Sequence, residues 1–554
     1  SCYCFFLNYA RYKRGAAYAS KKYSDPNAWH NQFYSLVTTK IDEEIFKPLF
    51  PEGKKSGRPN ASIRILVAMS ALKEGFGCSD EDLFEKCEFD LLTRKALGME
   101  LLTDVTPSID IYYHFRRRIC EYQERTGIDL MQLCFEQLAG NQVRLLKISG
   151  KCVRMDSKLI GSNIVRQSRY ELIHTTLVKF LKTCTLSDLS PEQEERAKEY
   201  LKEDSSKTVY RSDSDTLQSN LARIGNFIME MLATFPATSP AHDLLQRLFD
   251  EQYAVKDGKA VLRDKKEVKA DSLQNPNDPD ATYRAKNDQK VQGYVTNITE
   301  TVEEGKPNII TSVQVETAVF ADCHFLQEAV ENSERVTDST IEDLYADGAY
   351  QSPDNREFAK NHNAMQLKTG KMQGGCRWEL IPHDEDGLTI REIATGNTYE
   401  AVKAVTKQGS RKRWRIPWNN KTGWRYFEDK DIKAYQLRKQ IESLPLEEQH
   451  KRNNVEAAMF QYSFHTRKGK TRYRGLLKHR MHAYSRCMWM NLRRMVIFQI
   501  STFQRSIFAL FGPIREAFGS FKAISRKIFT SGADCYVSLR MTTLARLDSK
   551  YVPF

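Results

Sequence analysis

Apolar side chains recur at helical spacing through much of the first 145 residues. Between Asn60 and Glu74, the positions Ile63, Ile65, Leu66, Met69 and Leu72 mark the buried side of a helix. The Gly75–Gly77 punctuation is expected to end it. Ser79 is the expected cap of the next helix, with Asp80, Glu81 and Asp82 in its first turn, where carboxylates oppose the positive end of the helix dipole. Thr106-Pro107-Ser108 opens a further helix through Tyr112, Phe115 and Ile119, carrying Arg116, Arg117 and Arg118. Short helices joined by glycine-bearing turns predict a helical, helix-turn-helix-like domain over residues 30–145, behind an N-terminal tail over 1–29.

The period then shortens to two. Lys151–Met155 predicts a strand ending at Asp156. Residues 165–268 turn charged and helical, as in Pro191–Glu203, and Asn275-Pro276-Asn277-Asp278-Pro279-Asp280 is a breaker run. Strand patterns return at Lys290–Ile298 and Asn308–Val315. A helix is expected over Phe325–Asn332, and a strand over Glu342–Ala346 that runs into Asp347-Gly348-Ala349-Tyr350. This order predicts an α/β core in two pieces, 146–164 and 269–374, interrupted by a helical insert over 165–268. Residues 375–430 read as a Trp-rich β insert, with strands at Trp378–Ile381, Leu388–Ile393, Thr398–Val405 and Arg413–Ile416. Helices are expected over 431–500, including a run through Glu447–Tyr462 and another from Arg474. The basic, Phe-rich 501–554 is read as packing or subunit-contact helices.

Composition narrows the class. The 554 residues allow about three to five domains or large inserts. Their 41% apolar content is too high for a disordered chain. No run of about 20 uncharged apolar residues is present, so no membrane-spanning helix and no membrane partner are expected. Twelve scattered cysteines without a Cys-x-x-Cys pair suit neither a disulfide scaffold nor a zinc ribbon; reduced thiols in the cytoplasm are the expectation. The chain begins with Ser1 rather than Met, which leaves its start codon undetermined.

Charge changes the picture further. The net charge is +13, but residues 401–554 alone hold 32 Lys and Arg against 10 Asp and Glu, a balance of +22. The basic residues there interleave with aromatics: Arg411, Lys412, Arg413, Trp414, Arg415, Trp418, Trp424, Arg425 and Tyr426, then Arg467, Lys468, Lys470, Arg472, Tyr473, Arg474, Lys478, His479 and Arg480. Such mixtures suit phosphate contacts with stacking on bases, and so a nucleic-acid partner. The alternative is solvated surface on which Lys and Arg stems lie.

Three acids stand at expected element ends or on a helix: Asp156, Asp347 and Glu456. Converging hard oxygen donors would hold Mg²⁺ or Mn²⁺, and two such ions suit phosphodiester chemistry. Arg452 precedes Glu456 by four residues and shares its helix face. Taken singly, each acid has a structural alternative: a strand-end turn, a turn before glycine, a surface helix acid paired with arginine.

The motifs around these acids resemble the DDE transposases of bacterial insertion sequences, in the group with a long helical insert after the first catalytic Asp. The resemblance is carried by Gly57-Arg58-Pro59, Ser79-Asp80-Glu81-Asp82-Leu83, Leu97-Gly98, Thr106-Pro107-Ser108 and His114-Phe115-Arg116-Arg117-Arg118. It continues through Met155-Asp156-Ser157-Lys158, Asp278-Pro279-Asp280-Ala281, Gly293-Tyr294, Ala346-Asp347-Gly348-Ala349-Tyr350, the Arg-x-x-x-Glu element Arg452–Glu456, and Asn491-Leu492-Arg493-Arg494. It implies an α/β, ribonuclease-H-like catalytic core, with Asp156, Asp347 and Glu456 as catalytic residues and ligands of two Mg²⁺ or Mn²⁺ ions. The implied reaction is cleavage at the transposon end, followed by attack of the freed 3′-hydroxyl on target DNA. The implied partners are double-stranded terminal inverted repeats and target DNA, gripped by a homodimer or larger assembly at the bacterial nucleoid. Candidate DNA contacts are Arg58, Arg116, Arg117, Arg118, Lys290, Arg411, Lys412, Arg413, Arg452, Arg467, Lys468, Lys470, Arg472 and Arg474. Two positions depart from the pattern: Gln449 and Ser463 stand where a Tyr before the element and a Lys seven residues after the Glu are usual. The cysteine-rich element of many relatives is reduced to Cys376. The competing expectations are a catalytically impaired DNA-binding relative, a metal-dependent nuclease without strand transfer, and a structural nucleic-acid-binding protein. Arg284 and Lys286 are read as DNA contacts or solvated surface, His324 as a further metal ligand or a structural cap, and Trp414, Trp418 and Trp424 as stacking on an end base or packing the β insert; His174 has no partner spacing.

Overall fold

The computed structural model describes residues 20–50, 61–101, 103–237, 239–286, 289–369, 376–383, 387–404, 413–418, 423–443, 445 and 456–517. The first helices are α1 (Trp29–Leu36), α2 (Ile63–Phe76), α3 (Asp80–Phe89), α4 (Leu91–Leu97), α5 (Ile109–Thr126) and α6 (Leu130–Leu146). Ser79 caps α3 in a capping box with Asp82, and Ser108 caps α5. Helix α2 ends within the expected Gly75–Gly77 punctuation: Phe76 is its last residue and Gly77 caps it, with a φ of 65° that suits glycine. Gly75 lies in its last turn with a bare Cα toward the Trp489 indole: a Cβ there would lie 2.3 Å from Trp489 Cδ2.

The central sheet is mixed. Its strands are β1 (Cys152–Gly161), β4 (Thr282–Lys286), β5 (Gln289–Thr301), β6 (Ile310–Thr317), β7 (Asp343–Ala346) and β8 (Gln366–Thr369). Strand β5 runs antiparallel to β1 and pairs on its other edge with β4 and β6. On the far side of β1, β7 and β8 follow in parallel. Period-two alternation sorts the side chains of β1. Val153 and Met155 pack with Leu344 and Ala346 under α12 (Leu326–Thr337) and α13 (Pro353–Asn361). Arg154, Asp156, Lys158 and Ile160 face the other way, where Ile160 joins a cluster with Met459, Tyr462, Met481 and Tyr484.

Between β1 and β4 the chain leaves the sheet. It forms α7 (Arg169–Leu181), α8 (Pro191–Lys202), α9 (Ser205–Arg211), α10 (Ser214–Thr234), α11 (Pro240–Gln252) and a hairpin of β2 (Tyr253–Lys256) with β3 (Lys259–Leu262), which the sequence pattern does not anticipate. These elements bury their own cluster, including Ile173, Leu177, Ile224, Phe227 and Leu248. His174 belongs to it, with Nε2 3.1 Å from Tyr200 O. After β8 come two three-stranded sheets. One holds β9 (Trp378–His383), β10 (Gly387–Glu392) and β11 (Thr398–Glu400); the other holds β12 (Val402–Ala404), β13 (Arg413–Trp418) and β14 (Gly423–Glu428). They share a core of Trp378, Leu388, Ile390, Trp414, Ile416 and Phe427 with Ile432 of α14 (Asp429–Glu442). Helix α15 (456–463) and helix α16 (Leu476–Ala517) complete the chain. Helix α16 is one continuous helix across residue 500, where separate C-terminal helices were expected; residues 518–554 lie outside the described ones.

Candidate active site

Asp156 lies in the middle of β1, not at its end as the sequence pattern suggests. The reason is that β5 pairs with β1 throughout, from Val153↔Thr301 to Gly161↔Gly293. The parallel neighbour β7 pairs only with Cys152, Val153 and Arg154. Continuing that register two residues past Arg154↔Tyr345 sets Asp156 beside Asp347. One edge of β1 therefore opens at Asp156. It closes again at Gly161, whose N–H donates to Gly469 O at 2.8 Å and whose carbonyl accepts from Thr471 N at 3.0 Å. Gly161 and its partner Gly293 are close-packed: a Cβ on Gly293 would lie 2.4 Å from Ile160 O.

Both aspartates are half-buried and locally braced. Asp347 accepts from Gly348 N at 2.7 Å, at the start of a 3₁₀ turn over Gly348–Tyr350. Asp156 accepts from Ser157 N at 2.8 Å. Burial pushes the Asp156 carboxyl up to about 6; the Ser157 N–H pulls it down, Asp347 raises it, Lys286 lowers it and Asp322 raises it. Buried Asp322 is held by Arg284 Nη1 at 3.1 Å and Lys286 Nζ at 3.5 Å. Behind the pair, Tyr350 is buried and donates to Asn297 Oδ1 at 2.7 Å. Its phenol is pushed well above the ordinary value by burial first and by Asp156 next.

Glu456 begins the described part of α15. Its side chain is exposed, while Ala458, Met459 and Tyr462 bury the other side of the helix. Helix α15 lies over the face of the sheet that carries Asp156: Tyr462 OH is 3.2 Å from Thr296 Oγ1 on β5, and Lys158 Nζ donates to Ser463 Oγ at 2.7 Å. Among the described residues no three His, Cys, Asp or Glu side chains stand close enough to hold a metal ion. The structure thus brings Asp156 and Asp347 together and leaves Glu456 on the adjoining helix. Lys158 was named only within a motif. Its place beside Asp156 is the strand's i+2 period, which counts only because β1 runs on past Asp156.

The candidate DNA contacts divide. Arg117 and Arg118 are exposed on α5, and Lys290 is exposed at the start of β5. Arg116 instead turns inward, over the Tyr112 ring at 5.4 Å and the Tyr473 ring at 5.1 Å. Arg467 and Lys468 are exposed in a turn. Lys470 donates to Ile164 O at 2.7 Å, Arg472 to Gly77 O at 2.8 Å and Arg474 to Asn163 O at 2.8 Å, so these three tie backbone segments together. Arg413 lies over the Tyr426 ring at 4.0 Å, and Arg415 over the exposed Trp424 at 4.3 Å. Trp414 is buried core. Arg58, Arg411, Lys412, Gln449 and Arg452 lie outside the described residues. His324 lines a separate cavity of about 450 Å³ with Cys323, Glu328 and Asp354.

Residues 23–118 match the family model of a transposase domain (DUF772). The match spans α1 to most of α5 and stops before β1, and it supports reading the chain as a transposase. Among curated proteins and among solved structures there is no match. No helix among the described residues is long and apolar enough to cross a membrane.

Proposed function

We propose that the chain is a DDE-type transposase of an insertion sequence, which cleaves DNA at terminal inverted repeats and joins the freed 3′-hydroxyl to target DNA. The observation that carries this reading is the Asp156–Asp347 pair, set side by side where β1 loses its parallel neighbour. The strand order β6-β5-β1-β7-β8, with β7 and β8 parallel to β1, suits the ribonuclease-H-like core that the motifs imply. The transposase-domain match over 23–118 supports the same reading from the other end of the chain.

The donor set fits a divalent cation. Two aspartates crowd one another, and Asp156 is held near 6 by burial and by its neighbours' charge. Hard carboxylate oxygens in such excess suit Mg²⁺ or Mn²⁺. Asp156, Asp347 and Glu456 would hold two such ions. The bound ions would supply an activated attacking oxygen and charge neutralisation at the leaving oxygen. The protein's own part is positional. The β1–β7 register sets the aspartates, and Tyr350 and Asn297 back the sheet behind them. Exposed Arg117, Arg118, Arg467 and Lys468 are available for phosphates of the bound ends. The chain would act as a dimer or larger assembly, because two ends must be joined at once.

The test is strand joining in vitro, with labelled DNA ends from the chain's own flanking repeats, in Mg²⁺ or in chelator. The expected result is Mg²⁺-dependent joined product that Asp156→Asn fails to make. Cutting without joining would replace the reading with a nuclease. Repeat-specific binding with neither would replace it with an impaired DNA-binding relative.

A further inference from the structure

We infer that Lys158 is a substrate-contacting residue: its ammonium receives a non-bridging oxygen of the DNA phosphate presented to Asp156 and Asp347. The inference rests on the transposase reading above and adds a residue to it. Three observations carry it. Lys158 follows Asp156 by two on β1, so both side chains leave the same face of the sheet. Its Nζ has one hydrogen bond among the described residues, to the neutral hydroxyl of Ser463, and no carboxylate within ion-pair distance there. And the edge of β1 beside it carries no ladder partner between Arg154 and Gly161 among the described residues.

The energetics favour an anion. A half-buried ammonium loses hydration that one hydroxyl does not replace. A lysine whose role was to hold α15 on the sheet would be better served by a carboxylate, since charge-assisted hydrogen bonds are about twice as strong as neutral ones. Ser463 instead orients the amine and, being neutral, adds no countercharge of its own. Asp156 acts on Lys158 through space, but cations bound at the aspartates would screen that attraction. An incoming phosphodiester would then be the anion within reach. The position of Ser463 gives the pairing added meaning: the cation absent from α15 is supplied across the gap by β1.

The test is equilibrium binding of the full chain, with Ca²⁺ present to occupy the aspartates, to duplex DNA carrying its own terminal repeat. The phosphate at the cleavage junction is either native or replaced by an uncharged methylphosphonate. Wild type is expected to bind the methylphosphonate about tenfold more weakly, the size of one hydrogen bond to a charged group. Lys158→Gln should bind native DNA about tenfold more weakly and respond little to the replacement, whereas Lys158→Arg should keep the response. Ser463→Ala keeps the ammonium and removes its tie to α15, along with the hydroxyl's own bond to Met459 O, so it should respond as wild type does. The inference is overturned if wild type ignores the methylphosphonate, if Lys158→Gln responds as strongly as wild type, or if Ser463→Ala reproduces Lys158→Gln. Wild-type binding indifferent to the terminal repeat would instead overturn the transposase reading, and this inference with it.

Discussion

Asp156 concentrates the physical tension of the site in one carboxyl group. Its ordinary value is 3.8, and burial with Asp347 and Asp322 nearby raises it to about 6. The folded chain therefore holds this proton more tightly than the unfolded chain does. That contribution to stability is present at low pH and is lost as pH rises from about 4 through about 6. Asp156→Asn keeps an oxygen for the Ser157 N–H and removes the charge. It should stabilise the cation-free protein at pH 7.5 by about 2 kcal/mol, the gain shrinking toward pH 4, as read by urea denaturation at both values. Adding Mn²⁺ should raise the melting temperature of wild type and leave Asp156→Asn nearly unmoved, because a ligand stabilises only the form that binds it. An equal rise in both proteins would place the cation elsewhere.

At the scale of elements, close approach decides where helices and strands end. Strand β1 runs five residues past Asp156 because β5 pairs with every one of them. Helix α2 meets α16 closely at Gly75, where Trp489 lies against the bare Cα in a cluster with Phe76 at 5.4 Å and with Trp29 and Phe33 at 6.0 Å each. Two effects oppose each other in Gly75→Ala. Helix propensity favours alanine by about 1 kcal/mol. The new Cβ, however, would meet a rigid indole at 2.3 Å, and overpacking costs about 1–3 kcal/mol even before the buried cluster shifts. The net expectation is a loss of about 1–2 kcal/mol in chemical denaturation, against the propensity. A gain would mean that α2 and α16 are less tightly joined than their geometry indicates.

At the scale of the molecule, a buried polar network ties the first helices to the segment that closes the site. Glu74 of α2 sits with Oε2 2.7 Å from His482 Nδ1 of α16, and its other oxygen accepts from Tyr473 OH. Arg486 donates to Glu74 O at 2.9 Å, and Arg116 of α5 lies over the Tyr473 ring. Burial raises the Glu74 carboxyl, but His482, Lys73 and Tyr473 outweigh it and hold the group at about 2, below its ordinary 4.5. This stabilisation is present above about 4.5 and is lost as pH falls toward 2. Glu74→Gln should cost about 2–3 kcal/mol near neutral pH, since the buried carboxylate is the charged acceptor that Tyr473 OH and His482 share. The cost should shrink in acid, which separates it from a simple packing loss. Because residues 469–471 bond to Gly161 at the end of the open edge, the same variant should also loosen that edge, seen as faster hydrogen exchange at Gly161 and Thr471.

The local signals were legible along the chain: the capped starts of α3 and α5 at Ser79 and Ser108, the glycine stop of α2, the change from helical to strand period near 150, the tryptophan-rich strands after 375, and the uneven charge. These depend on neighbours a few residues apart, so a linear pattern carries them. Long-range packing set how long β1 is, and that Arg116 and Lys470 are used internally while Arg117 and Arg467 remain exposed. It also set Asp156 beside Asp347, 191 residues apart in the chain, and Lys158 against Ser463, 305 residues apart. Those contacts follow from strand pairing and helix packing between distant segments. No local pattern encodes them, because the partner that fixes each one is chosen only when the chain has folded.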